Sequence, residues 1–318
     1  MILKGKRKLE GLPAVYTESD EEAETLEIYL RDRVMNTKII LSYTIFENLP
    51  VIIRNTRFVH EGESSIVLER AMSLNLDLPD DRYEMVELTG ARYVKTAPLH
   101  EGIQAIYSMR GHSSHQFNPF FALKRPETTE DAGEAIGISL VYSGNFLGQT
   151  AVDTFGVARA MIGIHPEGFS WTLKKGETFQ TPEAVLVYSG EGLGKMSRTF
   201  HRLYRKRLAR GYWRDRVRPV VINNWEATFM NFTEEKILKF AETARKLGVE
   251  MMVLDDGWFG HRDDDTSSLG DWYPDPKKLP QGIRGLAEKI ENMGMKFGLW
   301  IEPEMVNKDS RLYEEHPD

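Results

Sequence analysis

Cysteine is absent from the 318-residue chain, which removes disulfides, zinc–thiolate centres, iron–sulfur clusters and cysteine nucleophiles together. Long apolar runs are missing too, and none could span a bilayer. Nor is there an excess of positive charge. Lys and Arg total 41 against 48 Asp and Glu, a formal net charge of −7, so nucleic acid and membrane surfaces are not expected partners. The opening segment 1–11 is basic, but no apolar stretch follows it. It lacks the form of a secretory signal, and a cytoplasmic location is the expectation. What is present is the balance of a globular protein. Hydrophobic residues make up 41% and charged residues 28%, and the length suffices for two domains.

Two periodicities divide the chain. In the first half Leu26, Ile28 and Leu30 alternate with Glu27, Tyr29 and Arg31, and further short period-two runs fall at 41–45, 51–53, 66–68, 72–78, 85–88, 136–142, 170–173 and 184–188. Broken by Gly, Pro, Asn and Asp turns, they predict antiparallel sheet with one dry and one wet face, stacked as a sandwich. Residues 195–210 are helical in pattern, with Met196, Phe200, Leu203 and Leu208 on one stripe, and Pro219 marks a boundary. Thereafter strand and helix alternate. A strand at 220–223 precedes a helix at 234–247, capped by Thr233 and closed by Gly248, with Ile237, Phe240, Ala241, Ala244 and Leu247 as its stripe. A strand at 249–254, a helix with Leu286, Ile290 and Met293 inward, and a strand at 297–301 complete β-α-β-α-β. Parallel strands with right-handed crossovers are expected.

Each of these three strands ends in aromatic and carboxylate residues: Asn223-Asn224-Trp225-Glu226, Asp255-Asp256-Gly257-Trp258-Phe259 and Trp300-Ile301-Glu302-Pro303-Glu304. In parallel α/β folds the carboxyl ends of strands build the site. Asp255 and Asp256 can be a simple turn, yet adjacent carboxylates beside an apolar core repel unless ligands or donors satisfy them. On one loop both can reach hydroxyls of a single sugar ring, and Trp225, Trp258 and Trp300 can be core or can offer its C–H face an apolar platform. The combination favours a polyol or sugar pocket. Glu302 and Glu304 can touch the substrate, orient a neighbour or cap a helix. A metal is not expected. His261-Arg262-Asp263-Asp264-Asp265 is rich in oxygen, but it lacks the glycine of a calcium loop and carries a cation. It reads as a solvated loop or one that closes over the pocket. His112 and His115 have no third ligand in view. Gly190, Gly192 and Gly194 lack the rest of a dinucleotide fingerprint, so no cofactor is expected.

Several longer motifs carry a resemblance. They are Asn224-Trp225-Glu226-Ala227-Thr228, Asp255-Asp256-Gly257-Trp258-Phe259-Gly260, Leu269-Gly270-Asp271-Trp272 and Gly298-Leu299-Trp300-Ile301-Glu302-Pro303-Glu304-Met305-Val306, with Ser114-His115-Gln116-Phe117-Asn118-Pro119-Phe120 upstream. In these the sequence resembles the retaining α-galactosidases of glycoside hydrolase family 36, over almost its whole length. The resemblance implies an N-terminal antiparallel β-sandwich followed by a (β/α)8 barrel. The matching boundaries are a sandwich at 1–193, a helical linker at 194–216 and the first three β/α units at 217–318.

By the same resemblance the substrate is a terminal α-linked galactose, as in melibiose and raffinose. Asp255 and Asp256 bind its C4 and C6 hydroxyls, Trp225 and Trp300 line the pocket, and Trp258, Glu302 and Glu304 line it or support it. The reaction implied is a double displacement with retention, using one Asp as nucleophile and a second carboxylic acid as acid/base, about 5–5.5 Å apart. In the family the nucleophile sits in a Lys-Trp-Asp motif after the fourth barrel strand and the acid/base follows the sixth. Both are therefore expected after Asp318, none of the catalytic pair lies within this chain, and the chain reads as a fragment that is inactive alone. Family members often form homo-oligomers, including tetramers. Related readings are an α-N-acetylgalactosaminidase, a galactosyltransferase of the raffinose-synthase kind, or a non-catalytic carbohydrate-binding protein.

Overall fold

A computed structural model describes residues 1–90 and 93–317. The chain forms two compact units, Met1–Arg214 and Asp215–Asp318, and the catalytic carboxylates expected after Asp318 lie outside the described residues.

The first unit is antiparallel β. A ten-stranded sheet is built around the neighbouring strands Ala23–Asp32, Thr37–Phe46, Val51–His60, Glu183–Ser189, Ala135–Val141, Phe117–Lys124 and Glu84–Thr89. A four-stranded sheet (Met72–Asp77, Ala158–Ile164, Phe146–Val152, Gly102–Ser108) packs on one face of it. Between the two lies a core of Leu74, Ile106, Phe121, Leu123, Ile138, Phe146, Ile162 and Leu186. The alternation is visible along Ala184-Val185-Leu186-Val187. Ala184 and Leu186 face this core, while Val185 and Val187 join Met196, Phe200 and Leu203 on the other side. The helix Gly192–Arg207 therefore covers the second face of the large sheet, and its predicted stripe is the buried one. It belongs to the first unit and is packed into it, where the sequence reading treats 194–216 as a linker. Gly137 makes that approach possible: a Cβ there would sit 2.4 Å from Phe200 and 2.8 Å from Met196.

One expected dry face is reversed. Leu26, Ile28 and Leu30 are exposed, whereas Thr25 and Glu27 on the opposite face are buried. The reason is a strap formed by the start of the chain, which covers the polar face and supplies its partners. Thr25 donates to the Gly5 carbonyl at 2.7 Å, and Glu27 pairs with Arg7 at 3.0 Å and accepts the Tyr29 hydroxyl. The strap is tied down at Glu183, which is fully buried, ion-paired with Lys6 and bonded by the Val15 N–H at 2.7 Å.

The second unit holds three parallel strands, Val221–Asn223, Met251–Leu254 and Lys296–Leu299, in that spatial order. Each of the first two is followed by a helix, Glu234–Lys246 and Gly282–Asn292. The predicted cap is there, since Thr233 accepts the Lys236 N–H at 3.4 Å. Ile237, Ala241, Ala244, Leu286 and Ile290 join Met252, Leu254 and Phe259 in one core. Leu247 departs from the predicted stripe. It terminates the helix instead of continuing it and is 80% exposed. The architecture is that of a sandwich unit and the opening β/α units of a parallel barrel.

Candidate functional site

The three parallel strands share a register, so their carboxyl ends lie at the same end of the sheet. Side chains and backbone knit those ends together. Asn223, ending the first strand, accepts the Trp225 N–H on Oδ1 at 2.8 Å and donates from Nδ2 to Asp255 Oδ2. Asn224, fully buried, accepts the Asp255 N–H at 2.9 Å and donates to Thr228 at 2.8 Å. At the other side Trp300 N–H donates to the Leu254 carbonyl and Trp258 Nε1–H donates to the Trp300 carbonyl, both at 2.9 Å. Two Asn side chains thus fasten the second strand's exit to the first, and an indole fastens it to the third.

Asp255 is half-buried. Its Oδ1 accepts the Asp256 N–H at 2.8 Å and its Oδ2 accepts Asn223. Asp256 is buried and held far more tightly. The Arg262 guanidinium grips it bidentately, Nε on Oδ1 and Nη2 on Oδ2, each at 2.8 Å, and Gly257 N–H adds a bond to Oδ1 at 2.6 Å. Gly257 turns at φ +91°, and a Cβ there would lie 2.9 Å from the Met230 backbone. Only glycine fits that turn without strain. Each carboxylate oxygen can accept about two bonds. On that count Asp255 keeps one acceptor direction on each oxygen and Asp256 keeps one, on Oδ2. All three seek donors, and a polyol is a cluster of donors.

The aromatic residues divide into two sorts. Trp225 is half-buried, edge-on to Phe229 with ring centroids 5.2 Å apart, and Trp300 is half-buried with rings of Phe259 and Trp272 each 6.4 Å away. Both therefore retain exposed surface at the strand ends. Trp258 is 2% exposed, fills the core beside Phe259 and acts through its bond to Trp300. Glu302 is half-buried and Glu304 exposed, in the turn that leaves the third strand.

The run 261–265 departs from the solvated-loop reading at one residue. His261 and 263–265 are exposed, but Arg262 turns inward and is 4% exposed. Lys278 is buried beside it, donating to the carbonyls of Gly257 at 2.9 Å and Arg262 at 2.8 Å and pairing with Asp263 at 2.8 Å. Asp264 accepts from Thr266, whose hydrogen bonds hold its carboxyl below the ordinary carboxylate range. Sequence reasoning missed Arg262 and Lys278. The one available signal was a lone Arg inside an acidic run six residues after a carboxylate pair, and nothing local says that the chain folds back.

A family model described as "Glycosyl hydrolase family 36 N-terminal domain" matches residues 1–174, and one described as "Melibiase" matches residues 178–318. The chain is 53% identical over its full length to "Alpha-galactosidase AgaA" of Geobacillus stearothermophilus, covering 44% of that protein. It is 46% identical to "Alpha-galactosidase 1" of Pediococcus pentosaceus, with 99% of this chain and 43% of that one covered. The crystal structure of the Geobacillus enzyme superposes on the whole chain with a TM-score of 0.95 and 45% of its own length covered. A variant of that enzyme has been crystallised in complex with raffinose. The chain thus spans a little under half the length of these relatives.

Proposed function

This chain belongs to glycoside hydrolase family 36, and from that premise we propose that the whole protein is an α-galactosidase releasing terminal α-galactose from oligosaccharides such as raffinose and melibiose. The likeness to named α-galactosidases at 53% and 46% identity supports the reaction, and the raffinose complex of the Geobacillus enzyme supports the substrate class. The observation in this chain that carries the reading is the set of open acceptor directions on Asp255 and Asp256, at the strand ends that also bear Trp225 and Trp300.

Its own residues supply recognition. Asp255 and Asp256 accept the hydroxyls on C4 and C6, and Trp225 and Trp300 lie against the apolar C–H surface of the ring. An axial C4 hydroxyl distinguishes galactose from glucose, and a site built to hydrogen-bond one hydroxyl rejects an analogue lacking it by roughly 10⁴-fold in favourable cases. Bond cleavage is a double displacement with retention. Its nucleophile and its acid/base belong to the (β/α)8 barrel beyond Asp318, so this chain assigns no catalytic carboxylate and Asp255 is a binding residue.

The test is proton NMR of the full-length protein acting on an aryl α-galactoside beside the matching α-glucoside and α-N-acetylgalactosaminide. Release of α-galactose first, with the other two left nearly untouched, is expected. Initial release of the β-anomer, or equal turnover of the glucoside, would overturn the assignment.

A further inference from the structure

We propose that Arg262 is a positioning residue for sugar recognition: by fixing the plane of the Asp256 carboxylate it leaves that group one usable acceptor, on Oδ2, and aims it. The inference rests on the reading of Asp256 as a sugar ligand and goes beyond it. It concerns a residue in the loop that follows and how that loop divides work between two adjacent carboxylates.

The argument starts from donors. A guanidinium presents a rigid planar fork that matches both oxygens of a carboxylate, so a bidentate pair fixes orientation as well as distance. Here both limbs are 2.8 Å long, and the third guanidinium nitrogen, Nη1, donates to the Ser267 carbonyl at 2.7 Å. Arg262 is 4% exposed and Asp256 6% exposed, so neither swings into water. Lys278 ties the loop from behind by bonding the carbonyls of Gly257 and Arg262, the residue after Asp256 and the residue that grips it. The Phe259 ring lies 5.8 Å from the guanidinium carbon.

Among the described residues Asp255 has no such clamp. Its partners are one amide nitrogen and one backbone N–H, and each of its oxygens keeps an acceptor direction. The pair is therefore unequal. Asp255 can take two hydroxyls, and Asp256 takes one in a direction it cannot change. Arg262 also supplies the positive charge that lets two neighbouring carboxylates sit at the edge of an apolar core.

Arg262→Lys in the full-length protein separates positioning from mere support. A lysine keeps the charge but holds one oxygen at most. On an aryl α-galactoside its KM should rise about tenfold with kcat changed much less, and the dissociation constant of galactose should rise in parallel. Guanidinium ion at millimolar levels should restore KM in Arg262→Ala, while methylammonium should not. A purely structural arginine predicts the opposite: fewer active molecules, a lower apparent kcat, and an unaltered KM. That outcome overturns the proposal. Should Arg262→Lys not fold, Lys278→Met loosens the loop while leaving the guanidinium–carboxylate pair in place. A rise in KM of about threefold is then expected, and an unchanged KM overturns the inference. Failure of the functional reading itself is distinguishable, because the unaltered protein would then not act on α-galactosides at all.

Discussion

At the scale of residues, the two adjacent aspartates differ in what their loss does. Asp256→Ala strands the Arg262 guanidinium in a site where it is 4% exposed and, on the proposed function, also removes a sugar ligand. Breaking a buried pair from one side costs about 3–5 kcal/mol. Urea unfolding of that variant should show a loss of this order beside the loss of activity. Asp255→Asn keeps an acceptor oxygen for the Asp256 N–H and frees no buried charge. Its unfolding free energy should stay within about 1 kcal/mol of the parent, while affinity for galactose falls. Equal destabilisation by both would contradict the unequal pair. The residue types and spacing of Asp255, Asp256, Trp225 and Trp300 were legible in the sequence. Arg262 was not, because its partnership depends on a loop that turns back on itself through Gly257 and Lys278.

At the scale of elements, the helix Gly192–Arg207 lies so close to the large sheet that position 137 has no room for a side chain. Gly137→Ala should overpack the seam against Phe200 and Met196 and cost about 1–3 kcal/mol, read as a lowered Tm. A second element-level device joins the segment before strand Glu84–Thr89 to the end of strand Phe117–Lys124. Arg125 bonds Asp80 at 2.6 Å and Glu134 at 3.1 Å, with its guanidinium carbon 3.8 Å from the Tyr83 ring centroid. Hydrogen bonding from Arg125 brings the Asp80 carboxyl down from 3.8 to about 2. A depressed acid stabilises the fold above its unfolded value, and that contribution is lost as pH falls through the folded one. The stability difference between the parent and Asp80→Asn should therefore be full at neutral pH and shrink between about pH 4 and 2. A constant difference across that window would show that ionisation of Asp80 contributes no stability through this pairing. The helices and the three parallel strands were readable because their periodicity and caps are local, as at Thr233, Ile237 and Leu286. Seven strands of the first unit, from Ile2–Lys4 to Thr178–Gln180, were not. Phe146–Val152, for example, is buried on both faces, so it has no alternation to read. The reversal of Leu26, Ile28 and Leu30 has a different cause: alternation is present there, but which face is dry is set by the strap, a separate segment at the start of the chain whose Gly5 carbonyl takes the Thr25 hydroxyl.

At the scale of the whole molecule, the proposed function puts recognition and bond cleavage in different stretches of one protein. The described residues bring the acceptors and indoles to the ends of three parallel strands, and a little under half the length of the relatives is spanned. On the proposed function these strand ends grip galactose through Asp255 and Asp256. Titration calorimetry of the full-length protein with galactose, and with glucose as the epimeric control, tests it most directly when repeated on Asp255→Ala. A saturable heat with galactose is expected, with little or none for glucose, and the galactose heat should vanish in a variant that remains folded. Undiminished galactose binding by Asp255→Ala, or equal binding of the two epimers by the parent, would contradict it.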